Sequence, residues 1–116
     1  MHKAILAFSL LAPLAAHANY AECILDRMPG VQNDAAAYAA HQVCLSDFPG
    51  GLQAVKQGSG RGFFGFDSGA ECTLKKAGDT RSQRGAAMIS ASCRKLYDEP
   101  TPDWEKGVIT PPPMQR

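Results

Sequence analysis

The residue types with the most chemistry in this chain are four cysteines, Cys23, Cys44, Cys72 and Cys93. Thiols can ligate a metal, exchange electrons or cross-link a chain, and spacing separates these uses. Zinc ligands come in close pairs two to four residues apart, and a redox dithiol takes the form Cys-x-x-Cys. Neither pattern occurs among the four, so the spacing implies no metal and no cofactor. An even set of well-separated cysteines in a small chain reads instead as structural disulfides.

Other side chains invite functional readings. Gly58-Ser59-Gly60-Arg61-Gly62 could cradle an anion through backbone amides and the Arg61 guanidinium. Its spacing fits neither the phosphate loop nor the dinucleotide fingerprint. Phe63, Phe64 and Phe66 follow at once, either as bulk that fills a gap between helices or as an exposed cluster that docks a partner. Trp104 can anchor the C-terminal tail or stay free to bind. With Arg61 and the three phenylalanines it completes the set of candidate partner-binding residues. His41 is the one histidine beyond the N-terminal segment and has no spaced nucleophile or carboxylate to work with. Glu22 and Glu71 precede Cys23 and Cys72 and suit a structural role near helix starts. The expectation is a non-enzymatic protein.

These residues sit in a pattern that repeats. Ala21-Glu22-Cys23 recurs as Ala70-Glu71-Cys72, and Cys44 recurs as Cys93 at the same distance downstream. Leu25 falls on Leu74, Arg27 on Lys76, Ala37 on Ala86 and Phe48 on Tyr97. Each copy reads as a short helix, a turn and a longer helix. In the first, Ala21, Ile24, Leu25 and Met28 form an apolar stripe ended by Pro29-Gly30. Asn33 then caps a helix carrying Ala36, Ala37, Ala40, Val43, Cys44 and Phe48. In the second, Ala70, Thr73, Leu74 and Ala77 form the short stripe. Thr80 with Gln83 fits a capping box, and Ser82, aligned with Asn33, is the other cap candidate. The long helix turns Gly85, Ala86, Met88, Ile89, Ser92, Cys93, Leu96 and Tyr97 to one side.

The expected fold class is all-α: two tandem disulfide-stapled hairpins, residues 20–49 and 69–98, joined by a Gly/Phe-rich connector, 50–68. Leu52 to Lys56 suits one helical turn. Pairing within each copy, Cys23 with Cys44 and Cys72 with Cys93, is favoured. Pairing between copies and the third connectivity stay open. A Pro-rich tail, 101–116, reads as extended and unpacked.

Residues 1–18 read as a cleaved export signal: Met1-His2-Lys3, an apolar run from Ala4 to Ala16, and Ala16-His17-Ala18 as a small-x-small site. The run is shorter than the roughly 20 residues a membrane span requires. Residues 19–100 then form one domain in the periplasm or medium, with no stable membrane insertion. The twelve basic and eleven acidic residues give a formal charge of +1, and loss of Lys3 makes the remainder neutral. That balance, with export, argues against nucleic acid. Charge is unevenly spread: Glu22, Asp26, Asp34 and Asp47 oppose Arg27 in the first copy. Lys75, Lys76, Arg81, Arg84, Arg94 and Lys95 oppose Glu71 and Asp79 in the second. The two halves are expected to attract each other within the fold. The favoured role is a protein-interaction or inhibitor module, as a monomer or a hairpin-exchanged dimer. The alternative is a carrier or sensor of a small anionic or apolar ligand held between the hairpins near Arg61.

Overall fold

The computed structural model describes residues 17–100. The expectations for the export signal before residue 17, for Trp104 and for the tail lie outside the described residues. Within them the protein is all-helical, with no strand: α1 (Tyr20–Arg27), α2 (Asp34–Asp47), a 3-10 turn (Gly51–Ala54), α3 (Gly69–Ala77) and α4 (Gln83–Tyr97). None of these helices is long and apolar enough to cross a membrane.

Each α-helix starts on a side chain that accepts a hydrogen bond from a free first-turn amide, the standard solution for unpaired donors. Asn19 accepts from Glu22 N, Asn33 from Ala36 N, Ser68 from Glu71 N and Ser82 from Gly85 N. The capping-box reading of Thr80 and Gln83 is therefore corrected in favour of Ser82. The Thr80 hydroxyl is engaged elsewhere, accepting from Gly30 N at 2.9 Å.

That bond is one of several that clasp the α1–α2 turn to the α3–α4 turn. Arg81 N donates to Val31 O at 3.0 Å, and the Ser82 hydroxyl donates to Asp34 Oδ1 at 2.6 Å. Gly85 makes the approach possible, because a Cβ there would lie 2.7 Å from Val31 Cγ2.

α1 is the most deeply buried helix. Tyr20, Ala21, Cys23, Ile24 and Leu25 are buried along it, with Met28 just after. α4 brings Ile89, Cys93 and Leu96 to the same core and packs on α1, α2 and α3. Among the described residues the Ser92 hydroxyl, buried there, has no hydrogen-bond partner. Two disulfides lock the arrangement. Cys23–Cys44 joins α1 to α2 with Cα atoms 5.7 Å apart, and Cys72–Cys93 joins α3 to α4 at 5.5 Å. All four cysteines are buried and none is free. Two disulfides of this kind are compatible with an extracellular protein.

Some expected core positions face solvent instead. Leu74 is 79% exposed and Ala70 is also outside. Gly69 and Cys72 fix α3 against α4, so the face running through Thr73 and Lys76 turns inward and positions 70 and 74 rotate away. On α2, Ala37 and Cys44 take the inner line, leaving Ala36 and Val43 exposed on its flanks. The expected attraction between acidic and basic halves is not made by ion pairs. Among the described residues the pairs are His17–Asp26 and Arg61–Glu99, and neither links the two halves.

Candidate functional site

The last four carbonyls of an α-helix have no partner within the helix and need one from outside. In α4 the connector supplies all four. The Gln57 side-chain amide donates to Asp98 O at 3.1 Å, and also to Arg94 O, which already accepts from Asp98 N; Gly58 N donates to Lys95 O at 2.7 Å. Gly60 N donates to Leu96 O at 2.8 Å, and the Arg61 guanidinium donates to Tyr97 O. The Asp98 carboxylate then accepts from Gly69 N at 2.8 Å, closing the connector at the start of α3.

This explains the glycines. Gly58 holds a φ of +81°, which side-chain-bearing residues rarely adopt. A Cβ on Gly60 would lie 2.9 Å from the Tyr97 ring, and one on Gly65 would lie 2.5 Å from Gly60 O. The loop therefore lies flat on the helix end because it has no side chains in the way. The Gly58 and Gly60 amides point at α4 carbonyls and the Ser59 and Arg61 amides at carbonyls of the loop itself, so these four are not available as an anion cradle. Arg61 is committed as well, since its second terminal nitrogen lies 3.6 Å from a Glu99 carboxylate oxygen.

The three phenylalanines divide. Phe66 packs edge-on against Tyr97 with ring centroids 5.2 Å apart and joins the rim of the core. The gap-filling reading holds for Phe66 alone. Phe63 and Phe64 stand on a tight turn closed by Gly65 N donating to Gly62 O at 3.2 Å. They are 93% and 94% exposed and meet edge to face at 5.0 Å. Arg61 ties the turn to α4 on one side and Phe66 does so on the other. The result is an aromatic knob on a restrained base.

Two depressions adjoin Phe66. One of about 240 Å³ is bordered by Leu25, Leu96, Tyr97 and the Glu22 and Asp26 carboxylates. The other, about 550 Å³ and wide open, runs between Phe66, Leu74, Lys75 and Glu71. Burial raises the Tyr97 phenol above its ordinary pKa, and the Glu22 carboxylate adds to the shift. Burial also raises Tyr20.

The remaining chemical residues are structurally occupied. His41 Nδ1 and the Tyr20 hydroxyl share a 2.6 Å hydrogen bond, which ties α2 to the start of α1. Glu22 and Glu71 sit in the first turns of α1 and α3, as an acidic residue near free amides should. Among the described residues no group of three His, Cys, Asp or Glu side chains could hold a metal ion. Sequence reasoning missed Gln57 and Tyr97 as the partners that seat the connector. The only available signal was the run of glycines, which announces close approach without saying to what. Comparison with protein-family models, with curated proteins and with solved structures found no match to this chain.

Proposed function

We propose that this chain is a small exported, non-enzymatic interaction module, built by duplicating a disulfide-linked helix pair, that binds a protein partner through Phe63 and Phe64. The observation that carries the reading is the exposure of both rings on a turn anchored to α4. Burying a phenylalanine is worth about 1.5–3 kcal/mol, so leaving two in water forgoes a sizeable gain for a small domain. Restraint at the base of the knob lowers the ordering cost that a free loop would meet on binding. The basic second half adds a surface for an acidic rim around the partner's pocket, a favourable arrangement for encounter and orientation.

The test uses the oxidised chain as bait in an extract of the compartment it occupies, beside the variant F63S/F64S. Neither ring packs on the core, so circular dichroism of the variant should match wild type. A partner captured by wild type and lost from the variant supports the proposal. Equal capture by both, with helicity unchanged, contradicts it.

A further inference from the structure

We infer that two copies of this chain pair, each seating its Phe63–Phe64 knob in the groove that the other opens between Phe66 and α3. The inference rests on the binding role proposed above and names the knob's partner as a second copy.

Three large apolar side chains stand mostly in water: Phe63 at 93%, Phe64 at 94% and Leu74 at 79% exposed. The first two form the knob. Leu74 and Phe66 line the groove, about 550 Å³ and wide open. That volume lies within the range of sites that enclose small ligands, so aromatic rings can enter it. Knob and groove are neighbours, because Phe64 is two residues from Phe66 and so within about 7 Å of it along the chain. A two-fold axis between them brings each knob to the other copy's groove, and the contact closes on itself with nothing left to polymerise. An occupant that covered the knob alone would leave Leu74 in water.

Area and charge agree with this pairing. A stable interface of standard size buries about 800 Å² on each partner. Two phenylalanines bury about 300–500 Å², and walls that receive two such rings bury a similar area. Each copy contributes both a knob and a groove, so the buried area per copy reaches the standard size. Glu71 and Asp79 line the groove against Lys75, and Glu71 makes no ion pair among the described residues. Arg61 stands at the base of the knob, and Tyr97 O and Glu99 do not exhaust the five donors of its guanidinium. Seating the knob brings this cation to the acidic rim. Each hairpin stays within its own chain, so the pairing differs from an exchange of hairpins.

Sedimentation of the oxidised chain over a dilution series, beside F63S/F64S and Leu74→Arg, tests the inference. Arginine is a good helix former, and both variants change only exposed side chains, so circular dichroism should match wild type. Wild type should sediment as a dimer, and each variant should dimerise at least tenfold more weakly. Mixing the two variants restores one contact, because Leu74→Arg keeps its knob and F63S/F64S keeps its groove. A heterodimer should therefore form where neither variant pairs alone. A wild-type monomer at every concentration overturns the inference, as does a dimer that either variant leaves intact. Loss of the dimer in both variants without a mixed pair also overturns it, because knob would then meet knob. Capture from extract separates this from the binding role. If wild type is monomeric but captures a different protein that F63S/F64S loses, only the second copy fails as partner. If both the dimer and the capture survive F63S/F64S, the binding role fails as well.

Discussion

Replacing Cys23 and Cys44 together by alanine is expected to release α2 from the rest of the protein. Of its fourteen residues only Ala37 and Cys44 are buried, with Ala40, His41 and Leu45 partly so, and the cap residue Phe48 adds a partly buried ring. A helix that buries so little relies on its cross-link. Closing a loop of this length is worth about 3 kcal/mol in the chain-entropy model. Without it α2 becomes an alanine-rich segment near the length at which isolated helices are marginal in water. The C23A/C44A variant should lose the α2 share of the helical circular dichroism, and the amides of Ala40 to Cys44 should exchange rapidly. The contrasting variant C72A/C93A should retain most helicity, because α3 and α4 share a closer face, but should unfold about 3 kcal/mol more easily in urea. Removing both bridges costs about 6 kcal/mol, comparable with the whole stability of many small domains, and should leave the chain unfolded. Equal, small effects from both pairs would show that packing alone holds α2.

Gly69→Ala, at the first residue of α3, should disturb the seat of α3 on α4. An added Cβ would lie 2.8 Å from Arg94 Cα and 2.9 Å from Asp98 Oδ1. The first contact is with backbone, so no side-chain rotation relieves it. α3 must move off α4, weakening the bond from Gly69 N to Asp98 and loosening the packing around Cys72–Cys93. Overpacking of this kind costs about 1–3 kcal/mol, and loss of the partly buried hydrogen bond adds about 1 kcal/mol. Urea unfolding should register about 3 kcal/mol. Gly62→Ala is the control, because nothing lies within 4 Å of a Cβ there. A shift no larger for Gly69→Ala than for Gly62→Ala would show that α3 and α4 are not in close contact at this point.

These two sites also show which features a sequence can disclose. Cys23–Cys44 and Cys72–Cys93 were legible because identical spacing in two similar segments makes pairing within each the simplest arrangement. The long helices were legible from alanine content and from Asn33 and Ser82 as caps. Asn19 and Ser68 were equally legible and went unread. Each stands three residues before a glutamate, Glu22 and Glu71, which is the usual sign of a helix start. Leu74 could not be placed from periodicity alone. A stripe containing Ala70, Thr73, Leu74 and Ala77 and one containing Gly69, Cys72, Thr73 and Lys76 differ by a modest rotation. The close contact at Gly69 chooses between them.

The connector was the hardest segment to read. Glycines with an arginine suggest a cradle for an anion, yet the same residues fit a loop that must lie flat on a helix end. The deciding partners, Leu96 and Tyr97, are more than thirty residues away in sequence. Local pattern carries no information about carbonyls that distant. Phe63, Phe64 and Phe66 are similar on paper, but only Phe66 meets Tyr97, and the division follows from where the turn at Gly62 to Gly65 closes.

The account depends most on the claim that Phe63 and Phe64 are held outward by a connector bound to α4. Amide hydrogen exchange followed by NMR on the oxidised protein tests this without knowledge of any partner. Gly58 and Gly60 donate to Lys95 and Leu96 carbonyls, so their amides should show protection within about tenfold of the α4 interior, because an opening that frees them must also uncap the helix. The amides of Phe63 and Phe64 at the tip should exchange fast. Exchange of Gly58 and Gly60 at the rate of an unstructured chain would contradict the account, since the aromatic pair would then ride on a free loop.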